Sequence, residues 1–202
     1  MSGRPASIAG IILAAGLSTR FGSNKLLAEH QGQPIVRWVA EAALASQLEQ
    51  IVVVLGHQAA AVGEALRDLP AKIIVNQDYQ QGQSTTVING LKAVQKDHRA
   101  AMYLMGDQPL IQTTIIDKLI TAYVNSEQDI CYPSFQNKRR NPVIFGDAFY
   151  NDILALEGDT GARAIIDANP EQALAITFNQ EQPFLDVDEQ IDLNSLRSTS
   201  AN

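Results

Sequence analysis

The 202 residues are 46% hydrophobic and 18% charged, a globular composition long enough to bury one well-formed core. Fifteen Lys and Arg stand against 22 Asp and Glu, a formal net charge of -7, which argues against sequence-independent binding to nucleic acid or anionic membrane. A single cysteine, Cys131, excludes an internal disulfide framework and a cysteine-rich zinc site.

In chain order, Ile8 to Leu13 is an apolar run ending in Ala14-Ala15-Gly16, the pattern of a buried strand entering a loop. Pro34 followed by apolar residues to Leu44 predicts a helix with proline near its first turn. Ile51 to Leu55 predicts a second strand, Ala59 to Leu69 a helix, Lys72 to Val75 a third strand and Ser84 to Val94 a third helix. Ala101 to Met105 predicts a fourth strand, closed by Gly106-Asp107-Gln108-Pro109. A helix over Thr113 to Tyr123 follows, with Thr113 or Thr114 as its cap.

Later strands are expected at Asp129 to Tyr132, Val143 to Phe145, Leu174 to Phe178 and Phe184 to Val187. Helices are expected at Asp147 to Leu156 and Gly161 to Ala168, and a loose polar tail from Ser195. Strands alternating with helices imply a three-layer α/β fold with a mostly parallel sheet, whose ligands sit at the carboxyl ends of strands. No apolar run approaches a membrane span and Met1 to Pro5 carries no secretory apolar segment. The expectation is therefore a soluble, cytoplasmic chain of one domain over residues 1–202.

The segment from Leu13 to Lys25 holds two glycines, Gly16 and Gly22, and two cations, Arg20 and Lys25. Backbone amides in one concavity with fixed positive charge suit a polyphosphate; a plain strand-to-helix turn with solvated cations is the alternative. The dinucleotide pattern G-x-G-x-x-G is absent. The Walker A spacing also fails, with Leu26 where that motif needs a magnesium-binding hydroxyl, which speaks against a P-loop hydrolase.

L-A-A-G-x-S-x-R-F-G-x-x-K resembles the signature of nucleotidyltransferases that activate sugars, terpenoid precursors and molybdopterin, and within them the molybdopterin cytidylyltransferase branch. Four further segments resemble that branch in the same order: Gly82-Gln83-Ser84-Thr85-Thr86 with Asn89-Gly90-Leu91, Gly106-Asp107-Gln108-Pro109, Arg140-Asn141-Pro142-Val143, and Gly158 to Arg163. The resemblance runs from about residue 8 to about 193. It implies a Rossmann-like sheet and transfer of CMP from CTP to the terminal phosphate of molybdopterin, with or without molybdenum, and release of pyrophosphate. A recipient molybdoenzyme or its chaperone is the further partner implied.

On this resemblance Leu13, Ala14, Ala15, Gly16, Gly22, Lys25, Gly82, Gln83 and Ser84 bind the nucleotide, and Arg20 and Lys25 steady the triphosphate. Asp107 holds Mg²⁺ or Mn²⁺, and Asp188 aligns as second ligand, although Glu189-Gln190-Ile191-Asp192 replaces the Thr-Pro-Glu-Asp stretch of related enzymes. The residues by themselves leave other roles open. Asp107 suits a turn that bonds its own backbone, Asp188 and Ser84 suit helix caps, and Lys138-Arg139-Arg140 suits a solvated turn as well as the phosphate of a second substrate beside Asn141. GTP or a sugar phosphate as substrate, and a non-catalytic cofactor-delivery role, stay open as alternatives.

Overall fold

The computed structural model describes residues 7–189 and 191–192. The predicted polar tail from Ser195 and the segment Met1 to Pro5 lie outside them. The strands are β1 (Ile8–Ala14), β2 (Glu29–His30), β3 (Gln33–Pro34), β4 (Gln50–Leu55), β5 (Lys72–Val75), β6 (Ala100–Met105), β7 (Ile130–Phe135), β8 (Lys138–Arg139), β9 (Val143–Gly146) and β10 (Ala173–Thr177). The helices are α1 (Ile35–Leu44), α2 (Ala59–Glu64), α3 (Gln83–Lys92), α4 (Thr113–Val124), α5 (Tyr150–Leu154) and α6 (Arg163–Ala168).

The main sheet runs β10-β7-β9-β6-β1-β4-β5, with β8 attached to β7, while β2 and β3 form a small hairpin. β1 is parallel to β4 and β6, β4 to β5 and β7 to β10. β9 runs antiparallel between β6 and β7. The sheet is therefore mixed but mostly parallel.

Helices cover both faces. Along β1, Ile8, Ile12 and Ala14 pack with Val36 and Val39 of α1 and Ile116 and Leu119 of α4. The alternate residues Ala9 and Ile11 pack with Val87 and Leu91 of α3, Ile153 of α5 and Ile166 of α6. Burial on two faces explains why β1, β4 and β6 read as continuous apolar runs rather than alternating ones.

Register then locates the site. Leu13 pairs with Val54 on one side and Met105 on the other, so the loops leaving β1, β4 and β6 emerge together at one edge. The chain moves outward from β1 to β4 and β5 and returns on the other side to β6, which makes this edge a topological switch point.

Several local expectations change. Phe184 to Val187 is not a strand: Gln182–Phe184 is a 3-10 turn, and the chain then crosses over the end of β6, with Val187 N–H donating to Asp107 O at 2.9 Å. Pro183 lacks a ladder donor, and the segment lies over the sheet edge rather than beside a strand. The helix expected from Asp147 to Leu156 divides into a 3-10 turn, Asp147–Phe149, and α5; the one expected to reach Leu69 ends at Glu64; and α6 begins at Arg163 rather than Gly161. Neither Thr113 nor Thr114 caps α4, because Gln112 holds the cap position and the Thr113 hydroxyl donates instead to Ala42 O at 3.0 Å.

Candidate active site

The loop after β1 is folded by its own polar groups. Ser18 takes φ 54°; its carbonyl accepts from Phe21 N–H at 3.1 Å, and its hydroxyl accepts from Lys25 N–H at 3.2 Å. Asn24 accepts from Leu26 N–H at 3.1 Å and donates to His57 O at 3.3 Å, which ties the loop to the end of β4. Phe21 packs with Ile35 and Val187 in a small separate cluster, joining the loop to the chain that crosses β6. The concavity so formed is a cleft of about 530 Å³, walled by Leu13, Ala14, Ala15, Gly16, Arg20, Lys25, Gly82, Gln83, Asp107 and Asp188 among others.

At one end of this cleft three chain segments place their charges together. Lys25 Nζ lies 2.6 Å from Asp107 Oδ2 and donates to Asp188 Oδ1 at 2.7 Å, with Arg20 Nη2 3.7 Å from Asp188 Oδ2. Burial works against the Lys25 ammonium, but the charge of Asp107 and hydrogen bonds to both carboxylates outweigh it and raise its pKa. The same bond from Lys25 holds the Asp188 carboxyl below its usual range, against the opposing effect of burial. The Asp188 and Glu189 N–H groups donate to Asp192 Oδ2 at 2.9 and 2.7 Å.

Asp186 is a functional candidate that sequence reasoning passed over in favour of Asp188. Buried Gln108 donates to Asp186 Oδ1 at 2.8 Å and to Phe184 O at 3.0 Å, so one amide fixes the crossing segment. Burial and then the charge of Asp107 push the Asp186 carboxyl up to about 6, while the Gln108 bond and Lys25 pull the other way. The signal was available: in an extended Asp-Val-Asp run whose valine is fully buried, both aspartates are left at the surface of the site.

The donor set fits a divalent cation carried in by phosphates. Asp107 Oδ1 is buried with no hydrogen-bond partner, and the Asp107 and Asp188 carboxylates already share one cationic group, Lys25. Among the described residues no group of three or more His, Cys, Asp or Glu side chains is placed to hold a metal alone. Two carboxylates completed by substrate oxygens and water are the usual magnesium arrangement.

A second cleft of about 440 Å³ adjoins the first, and Leu13, Gln83 and Met105 line both. Its wall combines Tyr103, Val143, Phe145 and Phe184 with Arg139, Arg140, Asn141, Arg163 and Asp186. The arginines differ in commitment. Arg140 is ion-paired with Glu181, and Arg139 with Asp167 at 2.6 Å while it lies over the Tyr132 ring. Arg163 is exposed and makes no side-chain hydrogen bond or ion pair among the described residues, acting on Asp167 only through longer-range charge. Arg140, the arginine expected to meet a second substrate, and Arg163 both line this cleft.

The start of α3 separates the clefts and is closed by a distant loop. Gln83 N–H donates to Asp159 Oδ1 at 3.2 Å, Ser84 N–H to Gly158 O at 3.2 Å, and the Ser84 hydroxyl to the same carbonyl at 2.7 Å. Gly82 takes φ 118°, and a Cβ there would collide with the Gly158 carbonyl. Ser84 is consequently buried and lies off both cleft linings. Gly22 also lies outside them, at φ 81° in the turn. Leu13 to Gly16, Arg20, Lys25, Gly82, Gln83, Asp107 and Asp188 come together, and Arg140 and Asn141 stand across the shared wall.

A mostly parallel sheet flanked by helices, with a glycine loop and a carboxylate at neighbouring strand ends, is the fold of a Rossmann-like nucleotidyltransferase. Residues 10–173 match the MobA-like NTP transferase domain, and the chain belongs to that family.

Nicotine blue oxidoreductase of Paenarthrobacter nicotinovorans is 28% identical over 189 residues, covering 90% of this chain and 92% of that one. Purine catabolism protein PucB of Bacillus subtilis is 27% identical over 185 residues, covering 88% and 89%. The crystal structure of Rv0371c from Mycobacterium tuberculosis superimposes with a TM-score of 0.86 at 22% identity, covering 95% of this chain and 97% of that one. Its manganese complex superimposes at 0.82 with 21% identity, covering 96% and 99%. Among the described residues no helix is long and apolar enough to cross a membrane.

Proposed function

We propose that the protein, as one catalytic domain over residues 1–202 acting in the cytoplasm, transfers CMP from CTP to the terminal phosphate of molybdopterin, with or without molybdenum, and releases pyrophosphate. The observation that carries this reading is the junction of two clefts at Leu13, Gln83 and Met105, with the charges of Lys25, Asp107 and Asp188 on one side of it. One cleft suits a triphosphate. The other, apolar and aromatic with cations at its wall, suits a flat heteroaromatic acceptor with an anionic end.

In the reaction an acceptor phosphate oxygen forms a bond to the α-phosphorus as the bond to the β-phosphate oxygen breaks, and the electron pair leaves with pyrophosphate. No covalent enzyme intermediate is needed, so the residues act by positioning and by neutralising charge. Arg20, Lys25 and the amides around Gly16 steady the triphosphate and its leaving group. Asp107 and Asp188 are the residues that would hold Mg²⁺ or Mn²⁺; the manganese complex of Rv0371c supports a divalent ion in this fold. That ion would supply charge neutralisation on the reacting phosphates. Gln108, by holding Asp186 and Phe184, orients the segment that delivers Asp188.

The test is pyrophosphate release with each of CTP, GTP, ATP and UTP, with and without molybdopterin, in Mg²⁺. Acceptor-dependent release with CTP supports the reading; release with a sugar phosphate only, or with GTP only, replaces its acceptor or its nucleotide. The name nicotine blue oxidoreductase belongs to a relative matched nearly end to end, and it favours a second reading, redox chemistry on a related heteroaromatic compound. Absence of nucleotide turnover together with turnover of nicotine blue would install that reading instead.

A further inference from the structure

The Lys25 ammonium and a divalent cation would claim the same two carboxylates. Nζ lies 2.6 Å from Asp107 Oδ2 and 2.7 Å from Asp188 Oδ1, and Arg20 Nη2 lies 3.7 Å from Asp188 Oδ2. Within this set of two cations and two anions the formal charges cancel. Asp186, two residues before Asp188, is held by the Gln108 amide at 2.8 Å and lines the other cleft.

A bare dication therefore meets carboxylates that are already neutralised, with an ammonium in contact with both. Like-charge repulsion is strongest where water is excluded, and the Lys25 and Asp107 side chains are only 14% and 12% exposed. Displacing Lys25 with nothing to receive it would leave a buried ammonium unpaired, which is unfavourable. A metal–triphosphate complex differs, since its phosphate oxygens receive Lys25 and Arg20 while the carboxylates turn to the ion.

The exchange asks little of the fold. Lys25 N–H is fixed on Ser18 Oγ at 3.2 Å, and the residue opens the 3-10 turn Lys25–Leu27, whose cap Asn24 donates to His57 O. The ammonium sits at the end of a flexible stem, so it changes partners by rotation of its own side chain with the loop in place. Asp107 Oδ1, buried and without a hydrogen-bond partner, is an oxygen that the lysine leaves unused.

We propose that Lys25 stands in for the metal ion on Asp107 and Asp188, so that the ion binds together with the triphosphate and binds poorly without it. The proposal rests on the nucleotidyltransferase reading and deepens it: Lys25 couples metal to nucleotide besides contacting phosphate. Coupling between two ligands of one protein is commonly worth about tenfold.

The experiment is equilibrium binding of Mn²⁺ in the absence of nucleotide, read by the paramagnetic resonance of the free ion. The chains compared are wild type, Lys25→Met, Lys25→Arg and the double variant Lys25→Met/Asp107→Asn, with calorimetric binding of CTP in Mn²⁺ to wild type alongside. Lys25→Met is expected to bind Mn²⁺ alone about tenfold tighter than wild type, and Lys25→Arg, which keeps the charge, within about twofold of it. The double variant should lose the gain. Mn²⁺ alone should also raise the melting temperature of Lys25→Met and leave that of wild type unchanged, which reads the same exchange where the variant is unstable. Wild type that binds CTP, with Lys25→Met binding Mn²⁺ alone within about twofold of wild type, overturns the proposal and leaves the proposed function standing. A gain that survives Asp107→Asn places the ion elsewhere and overturns it too. Wild type that binds no CTP in Mn²⁺ overturns the proposed function, and the proposal with it.

Discussion

Lys25 Nζ lies 2.6 Å from Asp107 Oδ2, linking the end of the glycine loop to the second residue after β6. Both side chains are more than four-fifths buried, and Asp188 reaches the same ammonium from the far end of the chain. The contact is unequal. Lys25 has a second carboxylate in reserve, whereas Asp107 has one oxygen with no partner at all.

That inequality separates two variants. Asp107→Ala leaves Lys25 paired with Asp188, so the fold should hold while acceptor-dependent pyrophosphate release falls by at least about a hundredfold. Lys25→Ala should lose turnover as well and also cost about 3 kcal/mol in a urea titration, since it leaves a buried carboxylate uncompensated. Equal stability losses in the two variants would contradict the asymmetry.

Gly82→Ala forces a side chain into a backbone at φ 118° and against the Gly158 carbonyl. A loss of about 1–3 kcal/mol is expected. The damage should be local, because the contact broken is the one that holds residues 158–159 over the start of α3. Limited proteolysis is the check: cleavage near residues 157–161 should rise in the variant before any other site is cut.

The second cleft gives an arginine comparison. Under the proposed reaction, Arg163→Ala should raise the KM for the acceptor by about tenfold and leave the KM for CTP within about twofold, as expected for loss of one charge-assisted contact. Arg140→Ala removes the partner of Glu181, so its main effect should appear in the melting temperature. Acceptor binding that depends on Arg140 and ignores Arg163 would return the role to the residue the sequence singled out.

Away from the site, Arg37 on α1 grips Asp68 with two bonds, 2.7 and 2.8 Å, and also donates to Glu41 and Ala65 O. The hydrogen bond from Arg37 pushes the Asp68 carboxyl down to about 2. A carboxyl lowered on folding contributes stability that is complete above its unfolded pKa of about 3.9 and lost as pH falls through the folded value. Asp68→Asn should therefore be less stable than wild type at pH 5, with the gap closing between about pH 4 and pH 2. Parallel urea titrations across that range measure it; a pH-independent gap would mean the pair contributes through packing alone.

Much of the fold was legible because local rules and tertiary demands agree. Continuous apolar runs at β1, β4 and β6 follow from burial on both faces, and the apolar spacing of α1 and α4 follows from one face on the sheet. The antiparallel β9 was not legible as such: three or four buried residues read the same in either direction, and only its pairing with both β6 and β7 decides it. Phe184 to Val187 misled for a related reason, since apolar residues that pack under a crossing segment look like those of a strand.

The site divides in the same way. Glycine spacing, a lysine at the loop's end and an aspartate after an apolar strand are local features, and they were enough to nominate Leu13 to Gly16, Lys25 and Asp107. Ser84 looked equally eligible at the start of a helix, but the loop at 158–159 takes up its hydroxyl and amide. Gln108 and Asp186 could not be ranked from sequence, because they meet across 78 positions of chain.

By itself, then, the sequence determined which segments are buried on two faces and which loop gathers two glycines and two cations at a strand end, since burial and backbone freedom are properties of short stretches. Only the tertiary structure decided which charges are already spent on one another and which remain for a ligand. Ion pairing and close contact fall off within a few ångströms, and the residues that meet at those distances here are far apart along the chain.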